Sequence, residues 1–193
     1  MAKDGTVSVL IAAPAENIAQ TIRSVLPSGC SPVLYAPSMT MAKQRLLREK
    51  IDILIIYSPL PDDSGIQTAV ELSGQRNIGV LLFVRQEMYD QVSYTAGKSG
   101  VFVLARPAGR QSIAQAVNLL RVTTGRVRRL TEENAVLRRK LDDMRLISRA
   151  KCMLVEKKQM TEEEAHHYLE KLAMDSCITK REEARDIIRR LEL

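Results

Sequence analysis

A heptad pattern in the last third of the chain places the strongest constraint on its fold. With Leu120 taken as position a, apolar side chains fill six of the eight a and d positions up to Met144. The a positions are Leu120, Val127, Asn134 and Leu141, and the d positions are Thr123, Leu130, Leu137 and Met144. Side chains spaced in this way form one stripe along a helix and pair with the same stripe of a second helix. The pattern therefore predicts a long helix that forms a coiled coil.

Asn134 indicates how two copies of this helix would pair. A lone Asn at an a position lowers stability but favours two parallel strands in one register, because the two amides bond each other only there. We therefore predict a parallel homodimer whose seam contains Leu120, Val127, Leu130, Asn134, Leu137, Leu141 and Met144. Three heptads make a short coiled coil, so the alternative is that the stripe packs on the chain's own N-terminal domain.

The first 118 residues have the pattern of a doubly wound α/β domain. Val7 to Ala13, Ile53 to Tyr57 and Val80 to Val84 are continuously apolar, as strands covered on both faces of a parallel sheet are. Shorter candidate strands are Val33 to Ala36 and Val101 to Ala105. The helical patterns are Glu16 to Leu26, Met39 to Glu49, Ile66 to Ser73, Met88 to Gly97 and Arg110 to Leu120. Together they predict five βα units.

Charge and cysteine content restrict the partner and the compartment. The chain of 193 residues has a formal net charge of +6, and residues 119–193 hold 18 Lys and Arg against 14 Asp and Glu. This surplus fits an acidic partner or an ordinary solvated helical surface. Cys30, Cys152 and Cys177 are far apart and odd in number, which argues against a disulfide framework or a zinc site. The apolar runs are too short to span a bilayer, so we expect a cytoplasmic protein with no membrane partner.

The last part of the chain predicts two further helices, each with a capping box at its start. Thr161 with Glu164, and Thr179 with Glu182, have the spacing of this motif. The apolar stripes that follow are Ala165, Tyr168, Leu169, Leu172 and Ala173 on one helix, and Ala184, Ile187, Ile188 and Leu191 on the next. Together with the end of the long helix, they predict a three-helix module with a small core.

The N-terminal domain resembles the receiver domains of two-component response regulators. Asp52 to Gly65 resembles their third strand and following loop, and Gly100 to Pro107 resembles their fifth strand and its Lys-Pro turn. The resemblance covers about residues 5–120 and implies a flavodoxin-like fold. Asp62 and Asp63 lie in the loop beyond Pro61, where solvated turn acids are the usual outcome.

The positions that carry receiver chemistry differ in this chain. Receivers accept a phosphoryl group on an Asp at the end of the third strand and hold Mg²⁺ with two acids after the first strand. Here Tyr57 occupies the phosphoacceptor position, and the rest of the acidic pocket reads Ala12, Ala13, Val84 and Arg106. These side chains offer neither a carboxyl nucleophile nor the oxygen ligands that Mg²⁺ requires. We therefore predict that aspartyl phosphorylation is absent, with no cofactor and no metal.

The C-terminal module resembles the ANTAR domain of antiterminators of the AmiR and NasR type. The resemblance rests on Ala150-Lys151, Met153-Leu154, Thr161 to Ala165, Tyr168-Leu169, Ala173-Met174 and Ala184. It implies RNA binding, in which a dimer grips paired short hairpins in the leader of a nascent transcript and prevents a terminator hairpin from forming. The predicted division is a receiver-like domain at 1–118, a coiled-coil linker at 119–147 and an RNA-binding ANTAR domain at 148–193.

The candidate RNA contacts are basic residues of this module. Hairpin loops expose bases and phosphates that Arg and Lys can reach without entering the deep groove of an A-form helix. The candidates are Arg145, Arg149, Lys151, Lys157, Lys158, Lys180 and Arg181. Lys151 is the first choice, because it fills the Ala-Lys motif of the resemblance. Tyr168 lies in an apolar stripe, so we expect it in the core and not as a stacking platform.

Two functions from different classes follow. The first is an RNA-binding antiterminator whose input domain senses a small ligand, or a sequestering or sensor protein, without phosphorylation. The alternative is a protein-interaction adaptor whose receiver-like domain binds a partner protein and whose C-terminal helical module does not bind RNA. An enzyme is not expected, because no nucleophile–base pair, phosphate-binding glycine loop or metal cluster is present in the sequence.

Overall fold

Five parallel strands form the centre of the N-terminal unit, in the places that the apolar runs predicted. The structure is a computed structural model that describes residues 6–75 and 78–192. The strands are β1 (Val7–Ala12), β2 (Cys30–Ala36), β3 (Ile53–Tyr57), β4 (Gly79–Arg85) and β5 (Val101–Arg106). Their order in the sheet is β2-β1-β3-β4-β5, and every neighbouring pair is parallel. The predicted doubly wound α/β fold is confirmed.

Helices cover both faces of the sheet. They are α1 (Glu16–Ser24), α2 (Met39–Arg48), α3 (Ile66–Gln75), α4 (Tyr89–Gly97) and α5 (Arg110–Lys158). Because successive side chains of a strand point to opposite faces, Leu10 and Leu54 pack with α2, α3 and α4, whereas Ile11 and Ile55 pack with α1 and α5. Both faces are therefore apolar, which explains why the strands read as continuous apolar runs.

Helix α5 is one uninterrupted helix of 49 residues. The sequence predicted a helix from Arg110 to Leu120 and a coiled-coil helix after it, and the structure joins them. Between Arg110 and Lys158 there is no proline, and Gly125 is the only glycine, so no strong helix breaker separates the two segments. The chain forms two compact units, Met1–Arg129 and Leu130–Leu193.

The C-terminal unit contains the end of α5 together with α6 (Glu162–Asp175) and α7 (Lys180–Glu192). Its core is a cluster to which all three helices contribute small and branched apolar side chains, as predicted. The buried members are Ala150, Leu154, Ala165, Leu169, Ala184, Ile187 and Ile188, and Tyr168 packs against them half-buried. In residues 6–75 and 78–192, no helix combines the length and the apolar composition that crossing a membrane requires.

Both predicted capping boxes are present. The Thr161 hydroxyl accepts a hydrogen bond from the Glu164 amide at 3.2 Å, and the Glu164 carboxylate accepts one from the Thr161 amide at 2.8 Å. Thr179 and Glu182 repeat the arrangement at 3.2 Å and 2.9 Å. These bonds satisfy amides that have no partner within the helix, and so they determine where α6 and α7 begin.

Candidate nucleic-acid interface

The carboxyl ends of the strands form the edge at which open α/β sheets bind ligands. Tyr57 ends β3 and Arg106 ends β5. The ring centroids of Tyr57 and Phe83 are 5.8 Å apart, and Cζ of Arg106 lies 4.3 Å from the centroid of the Tyr57 ring. A guanidinium group over an aromatic face is attracted by the ring quadrupole. An aromatic ring and a cation therefore meet where the sequence predicted a degenerate phosphoacceptor.

The other three positions of the predicted degenerate pocket are apolar and buried. Ala12 and Val84 lie in one core cluster of the sheet, and Ala13 lies in the other. They contribute packing and offer no oxygen ligand to a cation such as Mg²⁺. The Nε atom of Arg106 is buried without a hydrogen-bond partner in the described part of the chain.

Asp62 is exposed and Asp63 is partly buried, and both also accept hydrogen bonds from backbone amides. The Asp62 carboxylate accepts hydrogen bonds from the amides of Thr40 and Met39, each at 2.8 Å, and from the Thr40 hydroxyl at 2.7 Å. These bonds, first the one from the Thr40 amide, lower the pKa of Asp62 to about 2. Asp63 accepts bonds from the Gly65 amide and the Thr68 hydroxyl, each at 2.9 Å. The two carboxylates thus stabilise the starts of α2 and α3.

Six of the seven predicted seam residues are exposed on α5. Exposed apolar side chains of this size, repeated along one helix, are typical of a contact surface. Their dimerisation stays a prediction. The exposed fractions run from 39% for Val127 to 66% for Met144, with Leu130, Leu137 and Leu141 between them, and Asn134 is exposed as well.

The prediction that Leu120 belongs to the seam is wrong. Its side chain is only 4% exposed and belongs to the core cluster beneath α5, together with Ile113 and Val117. Cδ2 of Leu120 lies 3.2 Å from the position that a Cβ atom on Gly79 would occupy. Because Gly79 has no side chain, the start of β4 leaves room for Leu120. Leu120 therefore stabilises the N-terminal unit and is not available to a second helix.

The seven predicted RNA contacts all have polar partners within the C-terminal unit. Five of them form ion pairs with acids, and two bond to neutral oxygens. The ion pairs are Arg145 with Asp142 (3.8 Å), Arg149 with Glu192 (2.5 Å), Lys151 with Glu162 (2.9 Å), Lys180 with Glu170, and Arg181 with Asp143. The neutral acceptors are the Leu191 carbonyl oxygen for Lys157 and the Tyr168 hydroxyl, at 3.2 Å, for Lys158.

These pairs change the titration of the acids. The hydrogen bond from Lys151 holds the pKa of Glu162 below its ordinary value, and the bond from Lys180 does the same for the pKa of Glu170. Glutamate is charged at neutral pH in any case, and these hydrogen bonds stabilise the charged form further. In the structure the candidate interface is a set of cations partly neutralised by their own acids.

Sequence reasoning missed the acids of this surface. Lys151 and Glu162 lie on different helices across a turn, so no helical spacing connects them. Glu183 was missed as well: it is 1% exposed, its Oε1 has no hydrogen-bond partner in the described residues, and Nη2 of Arg190 lies 3.9 Å from that atom. Glu183 and Arg190 are seven residues apart, which places them about two turns apart on the same side of α7, so this spacing is a signal that could have connected the pair.

Comparison with known proteins finds a family match for the C-terminal unit and relatives of the chain. Residues 135–188 match the ANTAR domain family. The transcriptional regulatory protein PdtaR of Mycobacterium tuberculosis, strain H37Rv, is 25% identical over 142 residues, which are 74% of this chain and 69% of PdtaR. The PdtaR of strain CDC 1551 matches to the same extent.

Solved structures resemble the N-terminal unit. The receiver domain of the Francisella response regulator 1452 has a TM-score of 0.55 and 23% identity, and covers 62% of this chain and 99% of its own. The signal receiver domain of an HD domain-containing protein from Pseudomonas fluorescens Pf-5 has a TM-score of 0.57 and 18% identity, with coverages of 67% and 96%. These likenesses establish the receiver fold.

Proposed function

Because this chain joins a domain of the receiver fold to an ANTAR domain, we propose that it is an RNA-binding regulator of transcription antitermination. Two copies bind paired hairpins in a nascent leader transcript and so prevent a terminator hairpin from forming. The observation that carries the proposal is the ANTAR match at residues 135–188, downstream of the receiver fold. The functional division proposed is 1–118 for input, 119–147 for pairing and 148–193 for RNA.

The charges of the C-terminal unit support an electrostatic mode of RNA binding. Its candidate cations lie on two of the three helices of the module, five of them on α5 and Lys180 and Arg181 on α7. Tyr168 is half-buried against the core and its hydroxyl accepts a bond from Lys158, so it does not offer a free stacking face. Arg and Lys contacts to phosphates and loop bases therefore carry the interaction, and it weakens as salt concentration rises.

The exposed stripe of α5 supports pairing of two copies. Leu130 and Leu137 are consecutive d positions and both are more than half exposed. Asn134, at the a position between them, favours the parallel arrangement. A parallel pair carries two RNA-binding heads, which suits a target with two hairpins, because linked binding events raise the overall affinity.

The input domain acts without aspartyl phosphorylation in this proposal. Tyr57 and Arg106 occupy the edge at which a receiver would hold its acceptor and its Lys, and Ala12 and Ala13 supply no metal ligand. The input is a small ligand, or a sequestering or sensor protein that binds the N-terminal domain. The alternative adaptor function would instead give a stable heterocomplex and no RNA binding.

A gel-shift titration tests RNA binding. The probe is a synthetic two-hairpin RNA selected against the full chain from a pool with randomised loops. Lys151→Ala should weaken binding severalfold, whereas Lys171→Ala, an equal charge change at an exposed position of α6, should change it less. Failure to select any RNA would contradict the proposed function, and binding unchanged by Lys151→Ala or by salt would contradict the proposed surface.

A further inference from the structure

Lys151 lies deeper in the surface than its ion-pair partner. Its side chain is 19% exposed, whereas the side chain of Glu162 is 82% exposed. Lys151 lines a groove of about 280 Å³ together with Ser148, Cys152, Val155, Glu156 and Glu162. The Nζ atom is 2.9 Å from Oε1 of Glu162. Both side chains therefore line the groove, and the lysine is the more buried member of the pair.

The backbone of Glu162 is held in place by the start of its helix. Glu162 is the first residue of α6 and follows the Thr161 cap directly. The bonds between Thr161 and Glu164 determine where this turn begins, so the Glu162 side chain starts from a fixed point beside the groove. The ion pair with Lys151 thus connects the last turns of α5 to the first turn of α6.

We propose that Glu162 is an internal competitor of RNA phosphate at Lys151 and limits the affinity of the chain for RNA. The inference rests on the proposed function, because it concerns the same lysine. A carboxylate and a phosphate are both anions with oxygen acceptors, and an ammonium group binds either. A phosphate that approaches Nζ of Lys151 must displace the Glu162 carboxylate, which returns to solvent.

The other ion pairs of the module extend the same arrangement. Glu170 holds Lys180, and Asp143 holds Arg181, in each case on a neighbouring helix. RNA binding at these cations is then an exchange of one anion for another. Glu162 is the sharpest test among them, because its lysine is the least exposed cation of the three pairs.

Glu162→Gln and Glu163→Gln make a matched pair of variants. Both remove one negative charge from the first turn of α6, and both positions are exposed. They therefore share the change in net charge and in the interaction with the helix N-terminus. Of these two acids, Glu162 is the one that forms the ion pair with Lys151, so the difference between the two variants isolates that contact.

The measurement is the dissociation constant of the full chain for the selected two-hairpin RNA. Glu162→Gln should bind about two- to fivefold more tightly than Glu163→Gln, a range that corresponds to the strength of an exposed ion pair. In a Lys151→Gln background, Glu162→Gln should give no such gain, because the competitor and its target are coupled. Far-UV circular dichroism should show the same helix content in every variant.

Three results would overturn the inference. They are equal affinities of Glu162→Gln and Glu163→Gln, weaker binding by Glu162→Gln, and a gain that persists without Lys151. Each leaves the proposed function intact, because the wild-type chain still binds the RNA. If the wild-type chain binds no RNA from the pool, the proposed function fails and this inference fails with it.

Discussion

The guanidinium carbon of Arg106 lies 4.3 Å from the centroid of the Tyr57 ring, at the ends of β5 and β3. Phe83, on the strand between them, packs against the same ring with a centroid distance of 5.8 Å. A cation over an aromatic face is stabilised by roughly 0.5–1 kcal/mol at an exposed site and by more when it is desolvated. The group that meets the cation at this edge is therefore a ring and not a carboxylate.

The chain should not accept a phosphoryl group at this edge. Incubation with acetyl phosphate and Mg²⁺ should leave the intact mass unchanged, because Tyr57 has no carboxyl group and Ala12 and Ala13 cannot bind the metal. Tyr57→Asp alone should also stay unmodified, since it restores the acceptor without the metal ligands. A phosphoryl adduct on residues 1–118 of the wild-type chain would contradict this prediction.

Leu137→Lys should separate the paired helices. A charged group at a d position must be buried in the seam, so we expect a shift towards monomer at micromolar concentration in sedimentation velocity. Val136→Lys is the control: Val136 is 51% exposed, like Leu137 at 59%, but lies outside the a and d positions. A monomeric wild-type chain, or equal effects of the two variants, would show that the stripe does not pair.

Leu120→Ala should destabilise the N-terminal unit without changing the oligomeric state. Its side chain is buried beneath α5, and removing a buried leucine typically costs about 2–5 kcal/mol of unfolding free energy. Urea unfolding measures this loss. Leu119→Ala, at the neighbouring exposed position, should cost far less. An effect on dimerisation as large as that of Leu137→Lys would return Leu120 to the seam.

Asp62 should make the free energy of unfolding of the chain depend on pH. Its folded pKa of about 2 lies below the ordinary value of 3.8, so its contribution is complete above about pH 4 and is lost as the pH falls towards 2. Asp62→Asn should be less stable than the wild type at pH 7, and the two should converge between pH 4 and pH 2. Thermal unfolding between pH 2 and pH 7 measures the stability difference between the wild type and Asp62→Asn. A difference that does not change with pH would contradict the low pKa of Asp62.

Local signals predicted most of the fold. The run from Ile53 to Tyr57 reads as a buried strand because both of its faces are covered, and it forms β3 with those bounds. Thr161 and Thr179 mark helix starts through bonds that span only three residues. Such features depend on side chains close in sequence, so they need no knowledge of the tertiary packing.

Features that depend on packing between distant segments were not predictable. Leu120 fits the heptad and also fits the buried face of α5, because both patterns repeat apolar residues at three- and four-residue spacing. Only the contact with the sheet decides between them. The pairing of Lys151 with Glu162 depends on the turn between α5 and α6, and the bond from Thr40 to Asp62 spans 22 residues.

Burial of the Glu183 carboxyl group costs the C-terminal unit part of its folding free energy. The carboxyl group is removed from water, and Oε1 finds no hydrogen bond among the residues described. Transferring such a group out of water without a new bond is unfavourable. Arg190, with Nη2 3.9 Å from Oε1, offsets part of this cost, and we expect an apolar side chain of similar size at position 183 to raise the unfolding free energy of the unit.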